Sequence, residues 1–132
     1  MNTFNIEGKI LDLSTVKVMG ILNITTDSFF DGGKYLSKNK ILEKCKKMLL
    51  EGASIIDIGA QSSRPGAKPI DLETEKKRLL TAISYVKQYF PNIIISVDTY
   101  NAEIARICLL NGANMINDVS GGEMDKEMFE IV

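Results

Sequence analysis

One phrase occurs twice in this chain, Leu49-Leu-Glu-Gly-Ala-Ser-Ile-Ile-Asp57 and Leu109-Leu-Asn-Gly-Ala-Asn-Met-Ile-Asn117, and each copy reads as a helix end, a glycine stop and a strand start. Gly52 and Gly112 fall where a helix closes on a left-handed residue, a conformation open to glycine because it has no Cβ. Two units with one local pattern imply a tandem βα architecture. Short apolar runs place strands near Val16–Leu22, Ser54–Gly59, Ile93–Val97 and Asn114–Asn117. Helical spacing between them predicts Lys40–Glu51, with Ile41, Leu42, Cys45, Met48 and Leu49 on one face, then Leu72–Phe90, stopped by Pro91, and Ala102–Asn111. Ahead of all this, Phe4–Leu13 alternates apolar residues around Glu7-Gly8 and reads as a β-hairpin that could cover the bottom of a barrel.

Side chains alternate across a strand, so parity sorts the strand residues into two sets. Val18, Gly20, Leu22, Ile56, Ile58, Ile93, Ile95, Val97 and Ile116 are almost wholly apolar and suit a layer of helices. Met19, Ile21, Asn23, Ile55, Asp57, Gly59, Ile94, Ser96, Asp98, Met115 and Asn117 carry the polar groups. A flat sheet wound on both sides would bury that second set against helices without partners, whereas a barrel opens it at the carboxyl ends of the strands. The expected fold class is therefore α/β, part of a (β/α)8 TIM barrel, with about the first four βα units behind the short N-terminal hairpin. Residues 1–132 are read as one incomplete domain.

The composition narrows the chemistry. With 16 Lys and Arg against 17 Asp and Glu, a net charge of −1 gives no basic field for nucleic acid. Apolar runs break well short of the roughly 18 residues that cross a bilayer, and Met1–Glu7 has no signal-peptide pattern, so a cytoplasmic protein without membrane partners is expected. No His is present, which removes a Ser-His-Asp triad within this chain and the usual transition-metal ligands. Cys45 and Cys108 lie at apolar helical positions without CxxC spacing and are read as buried thiols.

Chemistry concentrates where strands run into polar, glycine-ended loops. These are Gly20-Ile-Leu-Asn-Ile-Thr-Thr-Asp-Ser-Phe-Phe-Asp-Gly-Gly33, Asp57-Ile-Gly-Ala-Gln-Ser-Ser-Arg-Pro-Gly66, Ser96-Val-Asp-Thr99 and Asn117-Asp-Val-Ser-Gly-Gly122. In order and spacing they closely resemble the amino-terminal half of dihydropteroate synthases. That family is a TIM barrel, a target of sulfonamides, that condenses 6-hydroxymethyl-7,8-dihydropterin diphosphate with 4-aminobenzoate in folate biosynthesis, with magnesium.

The resemblance implies specific roles. Asn23 matches the magnesium and diphosphate contact, an amide oxygen being a suitable hard ligand, although a turn or cap residue is the plainer alternative. Asp98 and Asn117 match pterin-binding positions, offering acceptor and donor edges to an amino-pyrimidinone, while Asp98 also has the look of a helix N-cap. Asp57 points inward and divides evenly between ordering the site and bonding a neighbouring strand. Ser63 stands where the family commonly has Thr, and Arg64 matches the arginine of the same loop, suited to an anionic group or to loop closure, with a solvated surface arginine as the alternative. The first loop resembles one that closes over the site, where diphosphate leaves and the aniline nitrogen attacks a pterin cation. Asp31, and less directly Asp27, would place negative charge near that cation, and Phe29 would wall the aminobenzoate pocket; a solvated acidic loop is the alternative.

Departures from the family pattern are Thr26 for Pro, Phe30 for a small polar residue, Ala60 for Gly and Gln61 for Glu. Asp125–Val132 starts a fourth helix and stops, and four strands cannot close an eight-stranded barrel. The chain alone is therefore expected to bind pterin weakly without turnover, and the resemblance implies a homodimer for the full-length enzyme. Two other readings stay open: a pterin-binding methyltransferase, disfavoured by the Asp-Ser-Phe-Phe-Asp-Gly-Gly and Ser-Ser-Arg-Pro-Gly loops, and a non-catalytic half-barrel that binds pterin or assembles with a partner.

Overall fold

The computed structural model describes residues 2–6, 8–24, 33–61 and 69–132. A hairpin of β1 (Thr3–Ile6) and β2 (Lys9–Asp12) comes first, paired antiparallel with Ile6 opposite Lys9. Its tight turn uses Gly8 at φ 82°, whose amide donates to Asn5 Oδ1 at 2.9 Å. The hairpin keeps Phe4 and Ile10 exposed.

The remaining strands, β3 (Val18–Asn23), β4 (Ala53–Gly59), β5 (Ile94–Asp98) and β6 (Met115–Asn117), form one parallel sheet in sequential order. Helices α1 (Gly33–Leu50), α2 (Leu72–Tyr89) and α3 (Ala102–Leu110) connect them, and a short α4 (Met128–Ile131) follows. Sequential parallel pairing through helical crossovers is the construction of a (β/α) barrel, of which this sheet is a part.

The two parity sets part as the alternation predicts. Leu22, Ile56, Ile58, Ile95 and Val97 are wholly buried against Ile41 and Cys45 of α1, Leu79, Ile83 and Val86 of α2, and Ile104 and Cys108 of α3. The other face is apolar at its base, where Met19 is 36 % and Ile21 64 % exposed. Both glycine stops hold: Gly52 (φ 103°) and Gly112 (φ 105°) donate back to Leu49 and Leu109 carbonyls at 3.1 and 3.2 Å. Both cysteines are free and buried, and burial pushes the Cys45 thiol up to about 11 and that of Cys108, helped by the Glu75 charge, up to about 12.

Several boundaries differ from expectation. Helix α1 starts at Gly33 rather than Lys40, because buried Ser37 extends the inward stripe through Ile41 to Cys45 although the segment around it is polar. Strands β3 and β5 run on to Asn23 and Asp98, one residue beyond their last apolar side chain. Val16 is 93 % exposed and lies before β3. Asp125 is outside α4; its carboxylate instead accepts the Ala102 and Glu127 amides at 2.8 and 3.1 Å, so it ties this segment to the start of α3. Among the described residues, no helix is long and apolar enough to cross a membrane.

Candidate functional site

Register aligns the polar set into rows across the open face. At the carboxyl ends, Asn23, Gly59, Asp98 and Asn117 stand side by side on four consecutive strands. One pleat below lie Ile21, Asp57, Ser96 and Met115. Four of the residues expected at the site, Asn23, Asp57, Asp98 and Asn117, thus come together. Asp27, Phe29, Asp31, Ser63 and Arg64 lie outside the described residues, as do Thr26 and Phe30.

Gly59 explains how the upper row closes up. A Cβ built there would lie 3.2 Å from Asn23 Oδ1 and 3.3 Å from Asp98 Oδ2, so the missing side chain is the space over which those two oxygens converge. Asn117 Nδ2 donates to Asp57 Oδ2 at 3.0 Å. Those residues belong to β6 and β4, two strand spacings or roughly 9.6 Å apart in a flat sheet, and the bond spans that gap because the sheet curves toward this face. Asp57 therefore bonds across to β6, past its neighbour β5, with one of its two oxygens.

The lower row is short of partners. Asp57 Oδ1 and Ser96 Oγ are buried side-chain atoms with no hydrogen-bond partner among the described residues. A buried polar group left unpaired costs on the order of 1–3 kcal/mol, so two of them on adjacent strands mark a surface arranged for something else to bond. Burial, joined by the charges of Asp57, Glu75 and Asp118, raises the carboxyl pKa of Asp98 above its ordinary value. The N-cap of α3 is Asn101, whose side chain accepts the Ile104 amide at 2.9 Å, which leaves Asp98 free of a capping role at that helix.

Three supports behind this face were not singled out from sequence. Asp118 folds the loop after β6 by accepting from the Ser120 amide and hydroxyl and the Gly122 amide, each at 2.8 Å. Burial pushes its pKa upward, yet those hydrogen bonds prevail and hold it below its ordinary value. Glu75, on α2 and 1 % exposed, accepts from Gln61 Nε2 and from Thr99 Oγ1, both at 2.8 Å. Tyr100 OH in turn donates to Gln61 Oε1 at 3.2 Å. The spacing of Glu75 with Leu79, Ile83 and Val86 on the buried stripe of α2 was the available signal. Elsewhere, an open depression of about 380 Å³ lined by Glu73, Thr74, Lys76, Lys77 and Leu80 lies along α2 and includes none of the row residues.

Residues 19–132 match the pterin binding enzyme family. The chain is 50% identical over 113 residues to the folic acid synthesis protein fol1 of Schizosaccharomyces pombe, covering 86% of this chain and 15% of that protein. It is 43% identical over 120 residues to the dihydropteroate synthase of Staphylococcus haemolyticus, covering 91% and 44%. Its structure is similar to that of Xanthomonas albilineans dihydropteroate synthase with 4-aminobenzoic acid, with a TM-score of 0.87, 34% identity, and coverage of 100% of this chain and 48% of the other. The chain thus spans less than half the length of each of these relatives. The match to that family over residues 19–132, most of the chain, places it in the pterin binding enzyme family.

Proposed function

We propose that this chain supplies the pterin-binding part of a dihydropteroate synthase, and that the row of Asn23, Asp98 and Asn117 above Asp57 and Ser96 receives the pterin diphosphate. The observation that carries this is the pair of buried, unpartnered oxygens, Asp57 Oδ1 and Ser96 Oγ, on adjacent strands one pleat below Gly59 and Asp98. An amino-pyrimidinone ring presents adjacent donors and acceptors along one edge. Carboxylate oxygens of Asp57 and Asp98 suit its N–H groups, and the Ser96 hydroxyl can donate to a ring acceptor.

Asn23 would hold magnesium through its amide oxygen, which already points over the space left by Gly59; a hard oxygen donor fits an ion that keeps water and phosphate oxygens as its other ligands. An ion held there would supply positive charge toward a departing diphosphate. Condensation then breaks the carbon–oxygen bond to diphosphate, forms a carbon–nitrogen bond to the 4-aminobenzoate amine and releases one amine proton. Asp98 and Asn117 orient the ring for that exchange, and the negative charge of Asp57 and Asp98 favours cationic character in it. By the same resemblance, Asp27, Asp31, Phe29, Ser63 and Arg64 complete the pocket from the two loops, and the full-length enzyme is a homodimer.

The reading is tested by assaying condensation of the pterin diphosphate with 4-aminobenzoate and magnesium, using this chain and its Asp98→Ala variant. The chain alone is expected to bind pterin without turnover, because the described sheet has four strands and an eight-stranded barrel needs as many again. Robust turnover by the monomeric chain would overturn that expectation, and pterin binding unaffected by Asp98→Ala would overturn the assigned site.

A further inference from the structure

We propose that Glu75 is a positioning residue of the pterin site, fixing through Thr99 and Gln61 the strand ends that carry the binding row; this rests on the pterin reading above. Glu75 itself projects from the helix layer, and its influence passes through two hydrogen bonds. The first reaches Thr99, the residue after Asp98. Thr99 is 3 % exposed, and its amide donates to the Asn117 carbonyl at 3.2 Å while its hydroxyl accepts the Asn101 amide at 3.3 Å. One carboxylate oxygen therefore holds the end of β5, the end of β6 and the start of α3 in register. The second reaches Gln61, two residues beyond Gly59, which is bonded onward to Tyr100.

A carboxylate so deeply buried and held by an amide and a hydroxyl is a costly choice where an apolar side chain would pack as well. What the carboxylate adds is direction: two acceptor oxygens aimed at two different strand ends. Asp98 and Asn117 can present a fixed edge to a planar ring only if their backbones do not shift relative to each other, and Thr99 joins both.

The experiment is calorimetric titration of 6-hydroxymethylpterin into the full 132-residue chain and its variants, with thermal melting in parallel, at a temperature where each is folded. Glu75→Leu fills the space but leaves the Gln61 amide and Thr99 hydroxyl without their acceptor, and is expected to weaken binding about tenfold. Thr99→Val, a gentler change, is expected to weaken it by about fivefold. Glu75→Gln accepts from Thr99 and, with the Gln61 amide turned over, donates to Gln61 Oε1, so it should restore affinity to within about threefold. Lower melting temperatures in Glu75→Leu and Thr99→Val, with pterin affinity unchanged, would show a purely structural carboxylate and overturn the proposal. Absence of pterin binding by the wild-type chain would instead overturn the reading of the site, and Glu75's role with it.

Discussion

The two faces of the four-stranded sheet are built from alternate residues of the same strands, yet they do opposite work. On one, Leu22, Ile56, Ile58, Ile95 and Val97 are entirely buried against three helices. On the other, Asp57 and Ser96 keep buried oxygens without partners, and Asp98 and Asn117 stand at the rim. The first face lowers the free energy of the fold. The second carries buried polar groups at a cost to it, which is the pattern the proposed pterin site would produce.

The comparison breaks most visibly at Ile58. Replacing it by Ala removes a fully buried side chain and should cost about 2–5 kcal/mol, read from denaturant or thermal unfolding, with little change in the pterin affinity of the folded fraction. A smaller and opposite effect belongs to its neighbour Gly59. Gly59→Ala forces Asn23 Oδ1 and Asp98 Oδ2 to give way by a few tenths of an ångström, and pterin affinity is expected to fall by about tenfold in titration while the melting temperature moves little. Loss of stability without loss of affinity at Gly59 would erase the distinction between the faces.

The smallest effect sharpens it. Burial and the charges of Asp57, Glu75 and Asp118 raise the folded-state pKa of Asp98 above the unfolded value. Between those two values the native chain binds more protons than the unfolded one, so stability declines as pH rises through that window, and the full penalty is present above the folded pKa. Asp98→Asn should therefore melt slightly higher than wild type at neutral pH, and the difference should vanish as pH falls below the unfolded carboxylate value. A variant less stable at neutral pH would mean that Asp98 supports the fold.

Much of this was legible from side-chain parity. Alternation along Ser54–Gly59 and Ile93–Val97 separated the two faces correctly, because a strand that packs on helices along one side cannot hide its period of two. The strand ends were less legible because they are polar. β3 and β5 close on Asn23 and Asp98, and a search for apolar runs stops one residue early where a polar side chain replaces an apolar one. Ser37 hid the first turns of α1 in the same way, a polar residue standing in an inward position. Gly59 could be placed on the inner face from sequence, but the convergence of two oxygens above it depends on sheet curvature. Glu75 escaped notice because its partners, Gln61 and Thr99, are distant in the chain and meet only when the strand ends are aligned.

The most direct measurement is titration of 6-hydroxymethylpterin into the wild-type chain and into Asp98→Ala, followed by calorimetry, with melting curves recorded on both. Saturable binding by the wild type, lost in a variant that melts no lower, is the result expected if the inner face is a ligand site held at the expense of stability. Equal binding by the two proteins, or an Asp98→Ala variant that loses binding only because it unfolds, would contradict that account.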